Sequence, residues 1–348
     1  MKRILTLIAA VGANFLATAV HAQGDYKVLD IVKLYGNGGI DYVYAENDER
    51  RVYVPRGGNT YVFGLDNHQY IGCITNIGGH GIAVDTKSHH GFGSAQKVGM
   101  FDTETMQKIK DIDVQSRPDG ILFEPFSGKV LILSHATPSI TMIDPADGTV
   151  TGAVDVGGDM EQAQSDGQGK LYVDVENQKK IAVVDMKAMK VLTEYDLGDG
   201  AGEPGGLGLD TKNHILFAMC ANPNVCAVVN ADTGKVLTTL PIGNGTDGGG
   251  FNPATMEAWS SQRDGTLTII KENSPTDFAV EQTVQTKPGC KTSSLDKKNN
   301  QIVLICTERS TNAPAATPPP MTSTNGPGGG RRGGRGGPGN LDVLWVGH

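Results

Sequence analysis

Four carboxylates, an imidazole and an ammonium group stand at near-regular spacing along the chain, at Asp41, His80, Asp119, Glu161, Asp247 and Lys291. Brought to one place, the carboxylates would repel one another unless a cation, protons or water compensated them, and their pKa values would shift accordingly. Oxygen ligands alone favour calcium or magnesium, whereas one His among carboxylates also admits manganese, iron or zinc. The expectation is one divalent metal ion, held by Asp41, His80, Asp119 and Glu161. The plainer reading is a wide, water-filled channel in which these groups are solvated and bind nothing tightly.

What must bring them together is a repeat. Each residue opens a short segment that runs from a polar residue through a small or apolar stretch to an acidic residue or Asn. The segments are DYVYAE (41–46), HGIAVD (80–85), DGILFE (119–124), EQAQSD (161–166), GGLGLD (205–210), DGGGFN (247–252) and KTSSLD (291–296), and their starts lie 39, 39, 42, 44, 42 and 44 residues apart. A period near forty, with turn signals between short β-type runs, marks a β-propeller. The expected fold is therefore all-β, with seven blades of four antiparallel strands and the leading side chains lining one funnel mouth. Gly205 adds no side chain to that ring.

Second, third and fourth strands follow each segment, with turn chemistry such as DPADG (144–148) and ADTG (231–234) between them. The seventh unit lacks two strands. Both are found at the chain ends: LDVLWV (341–346) has the third-strand pattern and YKVLDIVKL (26–34) the fourth. The last blade is thus expected to be closed by the two termini, which removes an open sheet edge.

The second-strand ends and their loops should reach the same mouth, adding Arg56, Asn177, Asn222 and Arg263 as binding candidates. His135, in Ser-His-Ala-Thr, is the candidate general base or further metal ligand. No nucleophile elbow, phosphate-binding loop or His-Glu-x-x-His motif is present, and GNGTDGGG (243–250), which lacks a following Lys-Ser/Thr, reads as a tight connection between blades.

Residues 1–22 read as a signal peptide: Lys2 and Arg3, an apolar run, then small residues Val20 and Ala22. Cleavage after Ala22 leaves a single-domain mature chain (23–348), periplasmic or secreted, with no membrane-spanning run. Losing Lys2 and Arg3 takes the net charge from −8 to −10, which argues against nucleic acid as a partner. The partners expected are a small molecule or a periplasmic protein, with the propeller itself a monomer.

In an oxidising compartment the five cysteines suggest two cross-hairpin disulfides, Cys220–Cys226 and Cys290–Cys306, with Cys73 left as a small core residue. Residues 311–340, rich in Gly and Pro with Arg331, Arg332 and Arg335, read as a disordered insertion in the last blade.

Motifs such as VYVPRGGNTYVFGLD (52–66), KLYVDVENQKKIAVVDMKAMKVL (170–192) and VNADTGKVLTTLPIG (229–243) resemble the YVTN-repeat, YncE-like family of bacterial β-propellers over the whole mature chain. The resemblance implies an exported seven-bladed propeller. Most such proteins have no assigned activity, so fold is inherited and chemistry is not. Tyr53-Val54-Pro55-Arg56 and Tyr172-Val173-Asp174-Val175 are the nearest approaches to a literal Tyr-Val-Thr-Asn. Two functional classes follow: a binding or scaffold propeller that captures a ligand at the polar mouth, or a metal-dependent hydrolase, lactonase or lyase.

Overall fold

The computed structural model describes residues 25–309 and 339–348. The expected signal peptide lies outside the described residues, as does most of the expected insertion. Gly339 and Asn340 are corrected out of that insertion, since they begin the last strand.

Seven four-stranded antiparallel sheets form the seven blades. The innermost strands are β2 (Tyr44–Glu46), β6 (Ile82–Asp85), β10 (Pro118–Glu124), β14 (Met160–Ser165), β18 (Glu203–Asp210), β22 (Thr246–Asn252) and β26 (Cys290–Asp296). In six blades the next three strands follow in sequence order, as in the first, where β3 (Arg51–Arg56), β4 (Asn59–Gly64) and β5 (Tyr70–Ile74) follow β2. The seventh runs β26-β27-β28-β1, with β27 (Gln301–Arg309) second, the C-terminal β28 (Gly339–Gly347) third and the N-terminal β1 (Lys27–Gly36) outermost, as the sequence pattern predicts.

Burial follows position in the blade. Second strands such as Val52-Tyr53-Val54 and Val130-Leu131-Ile132 are buried on both faces, because each blade packs against two neighbours, whereas outer strands such as Gln107–Ile112 are largely exposed. One apolar cluster fills each interface between neighbouring blades. Leu131 and Ile140 of the third blade, for instance, meet Val173 and Ala182 of the fourth.

The last residue of each repeat segment is a turn cap. Glu46 accepts from the Asp48 and Glu49 N–H groups, Asp85 from Lys87 and Ser88, Glu124 from Phe126 and Ser127, and Asp210 from Lys212 and Asn213. These side chains satisfy donors in the tight turn to the second strand, which explains why an acidic residue or Asn recurs there.

Ring closure rests on Arg56. It is fully buried and donates to the carbonyls of Leu34, Gly36, Gly38 and Gly339 at 2.9–3.2 Å, tying the first blade to both terminal strands. Its place at the channel mouth is therefore corrected: the guanidinium is spent on main-chain oxygens beneath the closing blade.

Cys290 and Cys306 face each other directly in the β26–β27 ladder and are joined by a disulfide. The Cys220–Cys226 expectation is overturned by register. Cys220 pairs with Val225 and Cys226 with Met219, so the thiols lie on opposite faces of the blade, in two different interface clusters, and both are free. Burial, with the Asp174 carboxyl nearby, pushes the Cys220 thiol up to about 12. Cys73 is also free, and partial burial raises its thiol as well.

Two expectations can be measured here. Arg56→Met leaves several buried carbonyls without a donor and should lower unfolding free energy by roughly 3 kcal/mol in denaturant titration; a loss within error of zero would remove Arg56 from its closing role. Glu272, buried between the fifth and sixth blades, is pushed from 4.5 up to about 7, first by burial and then by the adjacent Asp210, against the Asn213 amide that donates to it at 2.7 Å. The folded state thus holds a proton that the unfolded chain releases, so this contribution is present below about pH 4.5 and lost as pH rises through about 7. Glu272→Gln should raise the melting temperature more at pH 8 than at pH 5, and an equal change at both would contradict the raised carboxyl.

Candidate functional site

The ring residues are aimed inward by breaks in the ladder. Asp119, Glu161, Gly205, Asp247 and Lys291 each fall within a register shift at the start of the innermost strand, while Asp41 and His80 precede theirs. A bulge turns its extra residue out of the pleat alternation, so consecutive side chains can face the channel. Hydroxyl groups fix the main chain at these points: Ser94 donates to the Asp119 carbonyl at 2.6 Å, Thr292 to that of Asp41 at 2.7 Å and Ser261 to that of Lys291 at 2.5 Å.

The side chains form a continuous arc of alternating charge. Arg263 Nη2 meets Asp247 Oδ1 at 2.8 Å, and Asp247 Oδ2 lies 3.3 Å from Lys291 Nζ, which also contacts Asp41 Oδ1. Asp41 Oδ2 accepts from His80 Nδ1 at 2.6 Å, and His80 Nδ1 is 3.3 Å from Asp119 Oδ1. Asp119 Oδ2 is 3.3 Å from His135 Nε2, which itself lies 2.8 Å from the Met160 carbonyl. Glu161 stands at the end of the arc, where Oε2 meets the Tyr42 hydroxyl at 3.3 Å rather than a basic side chain.

The titrations split along the arc. Burial pushes Asp41 up, but the His80 hydrogen bond and Lys291 outweigh it and leave the carboxyl below its ordinary value. His80 is raised by Asp41, and Lys291 is raised by Asp247 and Asp41 against the opposing effect of burial. Asp119 rises through burial, partly offset by His80, and Glu161 rises well above its ordinary value through burial and then through Asp119, Glu176, Asp247 and Asp41. Lys291, Arg263 and His80 face Asp41, Asp247 and Asp119, whereas Glu161, which lacks such a contact, is the ring carboxyl raised well above its ordinary value.

The channel is not open beneath this arc. Tyr42, reaching from the first blade to Glu161 in the fourth, and Gln162, bonded to the Leu207 N–H at 2.8 Å and the Gly249 carbonyl at 3.1 Å, cross it. Gln164 adds a bond to the Leu207 carbonyl at 2.9 Å. Sequence reasoning missed all three; for the two glutamines the signal was the polar run EQAQS (161–165), which breaks the alternation expected of an inner strand, whereas nothing around Tyr42 marked it. The Gly run likewise does more than connect blades, because Gly248 to Gly250 lie within β22 itself. A Cβ on Gly206 would sit 2.6 Å from the Gly248 carbonyl carbon, so the fifth and sixth blades meet backbone to backbone. The wide channel of the plainer reading is thus replaced by a cup with a floor.

Of the remaining candidates, Arg263 belongs to the arc. Asn177 instead accepts from the Asp159 N–H at 3.0 Å, clamping the approach to β14, and Asn222 donates to Glu203 at 3.3 Å on an exposed loop. His135 joins the arc, but both of its nitrogens are engaged, Nδ1 by Arg117 Nη2 at 3.3 Å and Nε2 by Met160.

No family model and no curated protein matches the sequence. Solved structures do. The chain is similar to the structure of U3-55K with a TM-score of 0.70 at 8% identity, covering 91% of this chain and 99% of that one. It is similar to the RRP9 WD40 repeats at 0.69 and 8%, over 90% and 97%, and to the WD40 β-propeller domain of Doa1 at 0.64 and 15%, over 80% and 93%. The fold is a WD40-like seven-bladed β-propeller. At these identities the likeness concerns the fold alone.

The glycine contact gives a paired test. Gly206→Ala should cost about 1–3 kcal/mol of unfolding free energy, whereas Gly205→Ala, whose nearest neighbour would be the Thr246 carbonyl at 3.8 Å, should be tolerated. Equal behaviour of the two variants would contradict backbone-to-backbone packing.

Proposed function

We propose that this chain is an exported binding or scaffold propeller, monomeric and periplasmic or secreted, that captures a small ligand, a metal ion or a partner protein in the cup. One observation carries the reading: charged groups that remain partly open to solvent, with His80 and Arg263 side chains 41% and 46% exposed, stand directly above a floor closed by Tyr42 and Gln162. A closed polar concavity with convergent charges and perturbed titrations is the usual form of a binding site. Membership of the YVTN-repeat, YncE-like family belongs to the same proposal and is supported by the repeat motifs and the terminal closure. Among the described residues no helix is long and apolar enough to cross a membrane.

The alternative, a metal-dependent hydrolase, lactonase or lyase, asks His135 or a ring carboxylate to move a proton. It draws support from the divergent titrations of Asp41 and Glu161. The binding reading is preferred because His135 has no free nitrogen in this arrangement.

The test is capture from the exported fraction by the immobilised chain, read by mass spectrometry of both metabolites and proteins. Ligands held by the wild type should fall by about tenfold or more on Arg263→Glu, the loss typical of a removed charged contact, and persist on Leu192→Asp at the exposed outer edge. A profile unchanged by Arg263→Glu would reject the cup as the site of capture.

A further inference from the structure

Two sets of side chains bring one donor atom each to within 4.8 Å of one another: Asp41, His80 and Asp119 in one, and Asp119, His135 and Glu161 in the other. Their types suit a cation equally well, but their surroundings do not. In the first set both Asp41 oxygens are already committed, Oδ1 to the Lys291 ammonium and Oδ2 to His80 at 2.6 Å. A divalent ion there would face Lys291 directly.

We propose that Asp119, His135 and Glu161 form a site for a first-row divalent cation such as Mn²⁺, an assignment that rests on reading the ring as a binding cup. Glu161 has the neutral Tyr42 hydroxyl as its contact in place of a basic side chain. Asp119 turns Oδ2 toward His135 Nε2, 3.3 Å away, while its buried Oδ1, which accepts no hydrogen bond, lies 3.3 Å from His80 Nδ1, whose hydrogen is directed at Asp41. The set therefore offers two carboxylates and an imidazole, and the Met160 carbonyl, 2.8 Å from His135 Nε2, borders the same space. Carboxylate oxygens with one imidazole suit manganese, iron or zinc.

One rearrangement accompanies binding. Arg117 Nη2 donates to His135 Nδ1, which leaves the ring hydrogen on Nε2, where it is donated to the Met160 carbonyl. Ligation through Nε2 requires that hydrogen to move to Nδ1, with Arg117 withdrawing. Arg117 is exposed, and its loop position leaves it room to do so. Metal-bound imidazoles ordinarily present their second nitrogen to an acceptor, and Arg117 is a donor. It acts as a positioning residue that opposes the metal-bound tautomer.

The experiment is titration of the chelator-treated full-length mature chain, carrying no affinity histidines, with Mn²⁺, free ion being read by electron paramagnetic resonance. The wild type should bind one equivalent. Glu161→Gln and His135→Ala should weaken binding by about tenfold or more, on the scale of losses seen even for residues outside the coordination shell. Arg117→Ala should tighten it, and Leu192→Asp, at the exposed outer edge, should leave it unchanged. Absence of Mn²⁺ binding by the wild type, or loss on His80→Ala with retention in Glu161→Gln, would overturn the assignment. Glu161→Gln is nearly isosteric, and its unfolding midpoint separates loss of the ligand from loss of the fold. Capture that still depends on Arg263 while Mn²⁺ fails to bind would leave the cup standing and remove the cation site alone.

Discussion

Seven strands must meet around one axis, and the space they leave decides which residues can stand there. Closure comes first: β1 pairs with β28, and Arg56 gathers the carbonyls of Leu34, Gly36, Gly38 and Gly339 beneath them. With the ring shut, the inner strands press together, and the two sides of the axis solve the crowding differently. Between the fifth and sixth blades glycines remove the side chains, as at Gly206 against Gly248. Around the rest, bulges turn polar side chains out of the pleat and into the axis. The cup is thus a by-product of closure, polar on one flank and nearly bare backbone on the other.

That geometry then imposes an electrostatic problem. Four carboxylates in a partly desolvated space are stable only if each meets a compensating group, because a buried charge left without its partner costs about 3–5 kcal/mol. The arc from Arg263 to Asp119 alternates basic and acidic groups and answers this for Asp247, Asp41 and Asp119. The four links from Asp247 through Lys291, Asp41 and His80 to Asp119 each span neighbouring blades, so this part of the arc also cross-braces the ring. His80 shows how position sets character: its hydrogen bond to Asp41 favours the charged imidazole despite burial.

The period of about forty residues made the blade count and the closure by both termini legible before any coordinates, since every strand-turn unit repeats the same alternation and turn chemistry. The ring positions were legible for the same reason. What lay beyond reach depended on register. Tyr42 and Gln162 face the axis only because a bulge or a late-starting ladder releases them from alternation, and no residue type announces that. Cys220 and Cys226 flank a hairpin tip in sequence, yet a one-residue offset in pairing puts their thiols on opposite faces. Arg56 ends the second strand of its blade and Arg263 directly follows the second strand of its own, and only the position of the closing blade sends one inward to carbonyls and leaves the other on the cup.

Glu161 is where structural and functional demands separate. Asp247, Asp41 and Asp119 have basic partners and can be understood wholly as braces between blades, in the manner of Arg50 with Asp296 on a different part of the ring. The fourth carboxylate lies outside that pattern and reaches the Tyr42 hydroxyl of the first blade instead. It accepts from the Tyr42 hydroxyl at 3.3 Å in place of a basic partner, and burial with the neighbouring carboxylates raises its titration. A scaffold that needed only rigidity would be served as well by Gln at that position, just as Gln162 serves beside it. In the cation site proposed above, the carboxyl at 161 is the ligand that no basic side chain of the arc already holds.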